Sequence, residues 1–473
     1  MIFDVAIIGA GVIGSMVARE LTRYKLSVCM LEQANDVACG ASRANSGIIH
    51  GGYDPEPGTL KAKLNTVGVE LLFETAKELH VPCIRNGSLV CAFSEEENKA
   101  VQELYDRGTQ NNIPQLQILT GDQARTLEPK LSQAVTSTLY VPTAGIICPY
   151  GLTIAAAGNA MDNGATLQTN FCVASITREN GSFTITALDG ATVQAKTLIN
   201  CAGCGSGKIA AMAGDDSITI IPRAGEYMLL DKTAGATVSH TIFQVPSAEG
   251  KGILVSPTVH GNLLTGPTAK KVTDGMSTET TPEGLDMVRR LSLKSVPSVD
   301  FRSVITSFTG VRSSEKSGDF IIGWSEKVEG LLNVAAIDSP GLTCCVAIAK
   351  HVVGLLGQLE VNPDFDGHRD DPHAFRNMTL EEQNDYIKEN PAYGKIVCRC
   401  ETVSEGEILA AIRTNPPARD LDGVKRRTRS GMGRCQGGFC GPYILELLAK
   451  EQNIPMEQVT KCGGGSFMVM GKI

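Results

Sequence analysis

Phe3-Asp4-Val5-Ala6-Ile7-Ile8-Gly9-Ala10-Gly11-Val12-Ile13-Gly14 opens this sequence and decides its fold. Phe3 to Ile8 is a short apolar run of the kind buried on both faces of a parallel sheet, and Val12 to Tyr24 carries helical periodicity. Between them lies G-x-G-x-x-G. The next apolar run, Ser27 to Leu31, predicts a second strand and ends in Glu32, 18 positions beyond Gly14. Each position has a physical reason: Gly9 for a tight turn, Gly11 for close approach of backbone to a pyrophosphate, Gly14 for helix–strand packing. Val12 and Ile13 begin a helix whose free N–H groups and dipole suit phosphate, and Glu32 can accept from ribose hydroxyls. A strand, a turn, a helix and a strand with a terminal acid predict a dinucleotide-binding α/β core, without distinguishing NAD from FAD.

Working outward, Cys39 to Gly52 is a long stretch of small and hydrogen-bonding residues on which an extended cofactor can lie. Its Ser42, Asn45, Ser46, Gly47 and His50 are the candidate contacts. With these residues the sequence resembles the family of FAD-dependent amine and hydroxy-acid oxidoreductases that includes D-amino-acid oxidase. Asn45-Ser46-Gly47-Ile48-Ile49-His50 is most similar to its glycerol-3-phosphate dehydrogenase and L-2-hydroxyglutarate oxidase branches. The resemblance extends over about Met1 to Leu356. It implies FAD, with Val173 laid against adenine, the turn at Ala202 and Gly203 after Leu198 to Cys201, and a helix beginning at Gly341, Leu342 and Thr343 aimed at the flavin ring. It also implies an arginine on a substrate-domain strand, here Arg312 in Gly310-Val311-Arg312, that holds the substrate's anionic group. His50 is then a proton acceptor or hydrogen-bond donor. Tyr227 either points at the substrate or packs away, in a strand Pro222-Arg223-Ala224-Gly225-Glu226-Tyr227 where Ala224 departs from the family's R-G-E-Y.

The expected architecture is α/β: a Rossmann-type FAD-binding domain over 1–361, with an inserted β-rich substrate region over roughly 82–145 and 221–310. Residues 362–394 are polar, contain three prolines and read as a linker with one short helix. The last part, 395–473, carries Cys398-Arg399-Cys400 and, after 34 intervening residues, Cys435 and then Cys440. C-x-C with C-x4-C supplies the four thiolates of a [2Fe–2S] cluster. A structural zinc is the competing reading, although zinc ligands more often come as C-x2-C. Glycines around Gly431 to Gly441 can wrap the sulfurs. This tail resembles the small helical bacterioferritin-associated-ferredoxin-like [2Fe–2S] domain, and Asp422 to Cys440 is especially similar to the A-subunit type of anaerobic glycerol-3-phosphate dehydrogenases.

Composition narrows the function. Hydrophobic residues at 42% and charged residues at 20% predict a globular chain, and 50 glycines predict many close backbone approaches. Fifteen cysteines, an odd count with no leader peptide evident, predict a cytoplasmic protein without a disulfide framework. No apolar run reaches the ~18 residues of a membrane helix, which leaves at most peripheral membrane association through a partner. The net charge of −8 argues against nucleic acid; the tail alone holds 12 basic and 8 acidic residues. Its basic run is expected either to moderate the cluster's negative charge or to dock an acidic electron acceptor, a protein or a second flavoprotein subunit. The expected reaction is oxidation of a small anionic secondary alcohol, glycerol 3-phosphate before others. Alternatives are a 2-hydroxy-acid oxidoreductase and an electron-relay subunit. One arginine serves phosphate and carboxylate alike.

Overall fold

The first strand, Ile2–Ile8, pairs in parallel with Val28–Leu31 on one side and with Thr192–Asn200 on the other. The computed structural model describes residues 2–246 and 252–471. Met1, 472–473 and 247–251 of the expected domain and substrate ranges lie outside the described residues. Thr166–Gln168 and Leu331–Ala335 extend the parallel order outward, and antiparallel strands from 173–187 and 321–324 complete an eight-stranded sheet among the described residues. Val5 to Ile8 are buried because both faces of this sheet are covered. Each of Val5, Ile7 and Ile8 contributes about 1.5–3 kcal/mol on burial.

The helix Val12–Leu21 packs against Pro149–Asp162 and Gly341–Leu355, and the last of these packs on Leu60–Glu78. It stops short of the expected Tyr24 because Tyr24 turns back to Leu21 and bridges to Val361. Chain order reverses around Ile2–Ile8, so the crevice beyond the carboxyl ends of these strands is where a ligand binds in such sheets.

The second sheet is mostly antiparallel and, among the described residues, draws nine strands from 88–141 and 221–314. Its long pair is Ile221–Leu230 with Val304–Ser314, in register from Ile221 opposite Ser314 to Tyr227 opposite Phe308. The strand Leu254–Pro257 starts just past Gly252. Gly252 takes φ +77, and a Cβ there would meet the Gln244 Cβ at 2.7 Å.

Residues 362–394 carry two α-helices, Ala374–Asn377 and Leu380–Glu389, one more than expected, and a 3-10 turn, Pro391–Gly394. Asn159 donates to the carbonyls of Asp366 and His368, and Arg369 pairs with Asp162 at 2.9 Å, so this stretch lies along the helix Pro149–Asp162. Beyond it, a short hairpin (396–404) and three helices, Glu405–Arg413, Leu421–Thr428 and Gly441–Gln452, enclose their own apolar cluster around Ile408, Val424 and Leu448.

Candidate active site

At the dinucleotide end, sequence constraints become contacts. Gly9 takes φ +102 and lies against the turn after Asn200; a Cβ on it would sit 2.5 Å from the Cys201 carbonyl oxygen and 3.2 Å from Ala202 Cα. A Cβ on Gly14 would sit 1.9 Å from the Gly9 carbonyl oxygen. Gly11 by contrast meets only Ser42 Oγ, at 3.2 Å. Val12 N–H donates to that hydroxyl at 2.8 Å, which brings Val12, Ile13 and Ser42 to the same helix start. Glu32 accepts from Ala10 N–H at 2.8 Å and Ala34 N–H at 2.9 Å. Burial pushes its carboxyl above the ordinary range, and those N–H groups oppose the shift. Val173 is buried at the start of its strand, two residues past Phe171, whose N–H bonds the Glu32 carbonyl. Neither Val12–Leu21 nor Gly341–Leu355 has a side-chain cap, whereas Leu60–Glu78 is capped by Thr59. These uncapped N-termini, the cradle at Gly11 and the acid at Glu32 fit FAD: free N–H groups for phosphates, a carboxylate for ribose.

The loop 41–50 joins this end to the second sheet. Asn45 pins it by donating to the carbonyls of Ala41 and Ser42 while accepting from Gly47 N–H at 2.8 Å. Gly47 needs its φ of +65 and its missing side chain, since a Cβ would lie 2.6 Å from the Ile147 carbonyl oxygen. His50 N–H donates to Thr343 Oγ1 at 2.8 Å, and His50 Nε2 faces Ser339 Oγ at 3.3 Å. Strand, loop and helix start therefore converge on one histidine. The convergence is reinforced by Asn65, which donates to the His50 carbonyl. Beside it, Asp338 accepts from Lys61 at 2.5 Å and from Ser314 at 2.8 Å, fixing the turn that leads into Gly341 and Leu342.

Arg312 and Tyr227 face this loop from the second sheet. Gly310 fits because a Cβ there would sit 1.7 Å from the Ala44 carbonyl oxygen. The Arg312 guanidinium leans over Gly225, where a Cβ would come 2.9 Å from Nη2, and donates to the Thr268 carbonyl at 3.0 Å. It has no carboxylate partner among the described residues. Tyr227 is buried, stacks on Phe308 at 4.9 Å between centroids, and shares a hydrogen bond with the Ser46 hydroxyl. Burial pushes its phenol up, opposed by the nearby Arg312 charge and the Ser46 bond. Its ring is packed, and its hydroxyl holds the loop.

In the tail the four cysteines come together as two pairs. Cys400 and Cys435 sulfurs are 3.6 Å apart, and Cys398 accepts a hydrogen bond from Cys440. That bond, with N–H groups from Gly431, Glu401 and Cys400, pulls the Cys398 thiol down to about 5 against its burial. Cys440 is pushed up correspondingly. Among the described residues no three His, Cys, Asp or Glu side chains gather around one ion position. Paired thiols with backbone N–H donors fit a binuclear cluster, which takes two thiolates per iron. The other cysteines carry no such arrangement: burial pushes Cys204 up to about 11, and Cys201, Cys344 and Cys345 are likewise buried and raised.

Residues 4–355 match the family described as FAD dependent oxidoreductase. The chain belongs to that family. A second match, to the BFD-like [2Fe-2S] binding domain, covers residues 396–450 of this FAD-dependent oxidoreductase. It is 44% identical to a glycerol 3-phosphate dehydrogenase of Caloramator mitchellensis, over 99% of this chain and 98% of the relative. A glycerol 3-phosphate oxidase of Mycoplasma genitalium is 32% identical over 76% of this chain and 98% of its own. Among solved structures, dithionite-reduced L-alpha-glycerophosphate oxidase from Mycoplasma pneumoniae with FAD bound superposes with a TM-score of 0.75 at 31% identity, covering 78% of this chain and 98% of that one. The chain is thus an FAD-dependent oxidoreductase with a C-terminal [2Fe–2S]-binding domain. No helix among the described residues is long and apolar enough to cross a membrane.

The basic run of the oxidoreductase's tail departs from expectation. Arg426 and Arg427 both reach Asp36, at 2.7 and 2.8 Å, and Arg429 pairs with Glu401 at 2.8 Å while donating to Tyr150 and Asn262. Arg434 pairs with Asp231. Apart from the Arg429–Glu401 pair, which is internal to the tail, these contacts bind the cluster domain to the flavin domain, and so the arginines are not a free patch for an acidic partner. Tyr150 Oη also meets Met432 Sδ at 3.5 Å, linking the cluster loop to the helix start that follows Ile147 and Gly47. Ser339, Asn65 and the Lys61–Asp338 pair escaped sequence reasoning. Asp338 and Ser339 immediately precede Pro340 and Gly341, where the turn into an uncapped helix was the available signal; Lys61 and Asn65 gave none.

Proposed function

We propose that this chain oxidises glycerol 3-phosphate to dihydroxyacetone phosphate and passes the electrons singly through its [2Fe–2S] cluster to a protein acceptor. The observation that carries this reading is the full-length match to a glycerol 3-phosphate dehydrogenase, which includes the cysteine-bearing tail. When bound, FAD supplies a two-electron acceptor for the hydride from C2 of the alcohol. Arg312, half-buried and bonded among the described residues only to the Thr268 carbonyl, binds the phosphate with its remaining N–H groups. His50, whose Nε2 lies 3.3 Å from Ser339 Oγ, takes the hydroxyl proton. Thr343 and Asn65 hold the backbone of His50 in place, and Tyr227 holds the loop through Ser46. Gly9, Gly11, Gly14, Glu32, Ser42, Ala202 and Gly203 hold the dinucleotide, and the helix start at Gly341 to Thr343 favours negative charge developing near it.

Anaerobic addition of glycerol 3-phosphate is expected to bleach the bound flavin and release dihydroxyacetone phosphate. Bleaching by 2-hydroxyglutarate and not by glycerol 3-phosphate would replace this reading with a hydroxy-acid oxidoreductase. Bleaching by neither would leave an electron-relay subunit.

A further inference from the structure

We propose that Arg223 and Lys271 extend Arg312 into a cationic rail that draws dianionic, phosphate-bearing substrates from solvent to the flavin site. The reaction itself rests on the function proposed above; the rail rests on sheet register. Lys271 lies directly opposite Arg223, and Arg223 directly opposite Arg312, on three neighbouring antiparallel strands. Directly opposed residues of antiparallel strands send their side chains to the same face, with Cβ atoms about 4.5–5.5 Å apart. The face in question is fixed by its other members. Gly310 abuts the Ala44 carbonyl, and Tyr227 bonds Ser46, so the row looks onto the 41–47 loop. The opposite face carries Ala224 and Glu226, which is buried against the start of the helix Pro282–Ser295 and accepts from Thr281.

Three like charges in adjacent positions repel, and sheets usually place opposite charges there. Among the described residues neither Arg223 nor Lys271 has an ion pair or a side-chain hydrogen bond, and Arg312 has only the Thr268 carbonyl. The chain as a whole is acidic, at −8, so an unneutralised row is not a consequence of its average composition. Exposure is graded along the row: Lys271 and Arg223 are exposed and Arg312 is half-buried. A cleft lined by one sign of charge raises the local concentration of the opposite ion and the rate of its capture. A phosphate monoester concentrates nearly two negative charges on one group near neutral pH. It engages such a row more strongly than a monocarboxylate, or than a dicarboxylate whose charges are held apart.

The test uses the FAD-loaded full chain and the variants Arg223→Gln, Lys271→Gln and their combination. Anaerobic flavin reduction by glycerol 3-phosphate is followed in stopped flow from ~20 to ~300 mM ionic strength, the range over which screening sets in. Inorganic phosphate is titrated separately by its perturbation of the flavin spectrum. Each substitution is expected to lower the second-order rate constant about three- to tenfold at low salt, with the limiting rate at saturating substrate retained. The double variant should show a flattened salt dependence and weaker phosphate binding. Second-order constants and salt slopes equal to those of the unmodified protein would overturn the rail. So would a defect seen only with a protein acceptor present, which would make the row a docking surface. If glycerol 3-phosphate does not reduce the unmodified protein's flavin, the proposed reaction falls. Weakened phosphate binding in the variants would still support the rail, and unchanged binding would overturn it.

Discussion

Replacing Asp36 by Asn tests how the cluster domain is fastened to the flavin domain. Asp36 is 3% exposed and takes Arg427 through both carboxylate oxygens, at 2.8 Å each, while Arg426 reaches Oδ2 at 2.7 Å. The two arginine side chains are themselves only 6% and 7% exposed, so solvent screening removes little of the interaction. Asn keeps the shape and removes the charge, leaving two buried guanidiniums without a counter-ion. Breaking a buried pair from one side typically costs about 3–5 kcal/mol. The penalty should appear as loss of hydrogen-exchange protection across Leu421–Thr428 and faster proteolysis within 362–394. Chains with several domains do not unfold in one two-state step, which makes these local readouts the appropriate ones. Removing all three charges together, as Asp36→Leu with Arg426→Met and Arg427→Met, should restore most of the protection, because no orphaned charge remains. The same geometry fixes a pH dependence. Against its burial, Arg427 and then Arg426 hold the Asp36 carboxyl below the usual carboxylate range. A depressed folded-state pKa means the stabilisation is complete above the unfolded value of about 3.9 and is lost as pH falls through the folded one. Docking should therefore fail in acid and be indifferent to pH from about 5 upward. An Asp36→Asn protein with unchanged exchange and proteolysis would refute the account.

Three further outcomes follow from the same structure. Gly14→Ala would place a Cβ 1.9 Å from the Gly9 carbonyl oxygen, so the turn must move; purified protein should lose FAD and about 1–3 kcal/mol of stability, measured by flavin content and thermal unfolding. His50→Gln should slow anaerobic flavin reduction by about 10²- to 10⁴-fold while FAD content stays normal, and a smaller change would mean that the proton goes elsewhere. Cys435→Ser should abolish the cluster's visible and paramagnetic signature and leave reduction of the flavin by substrate intact. Retention of the signature would show that Cys435 is not a ligand.

The dinucleotide core was legible from sequence because its constraints are local. Gly9, Gly14 and Glu32 act within one strand–turn–helix–strand, and the contacts that require glycine lie only a few residues away or on the adjoining strand. The four cysteines were legible for a related reason, since thiolates in two spaced pairs have few other uses. Ser339, Asn65 and Lys61 were not, because each acts on a partner brought close only by packing of helices against the sheet. The run from Lys425 to Arg434 shows the limit most clearly. A string of arginines looks the same in sequence whether it faces an iron–sulfur cluster, an acidic protein or a buried aspartate hundreds of positions earlier. Desolvation decides among these, and it depends on what the fold lays over the side chains. With Asp36, Glu401 and Asp231 engaging that run, the row at Arg223, Lys271 and Arg312 on the flavin domain stays without a carboxylate partner among the described residues. The basic tail and the open cationic row therefore have separate roles: the first holds two redox domains together, and the second meets the anion that supplies their electrons.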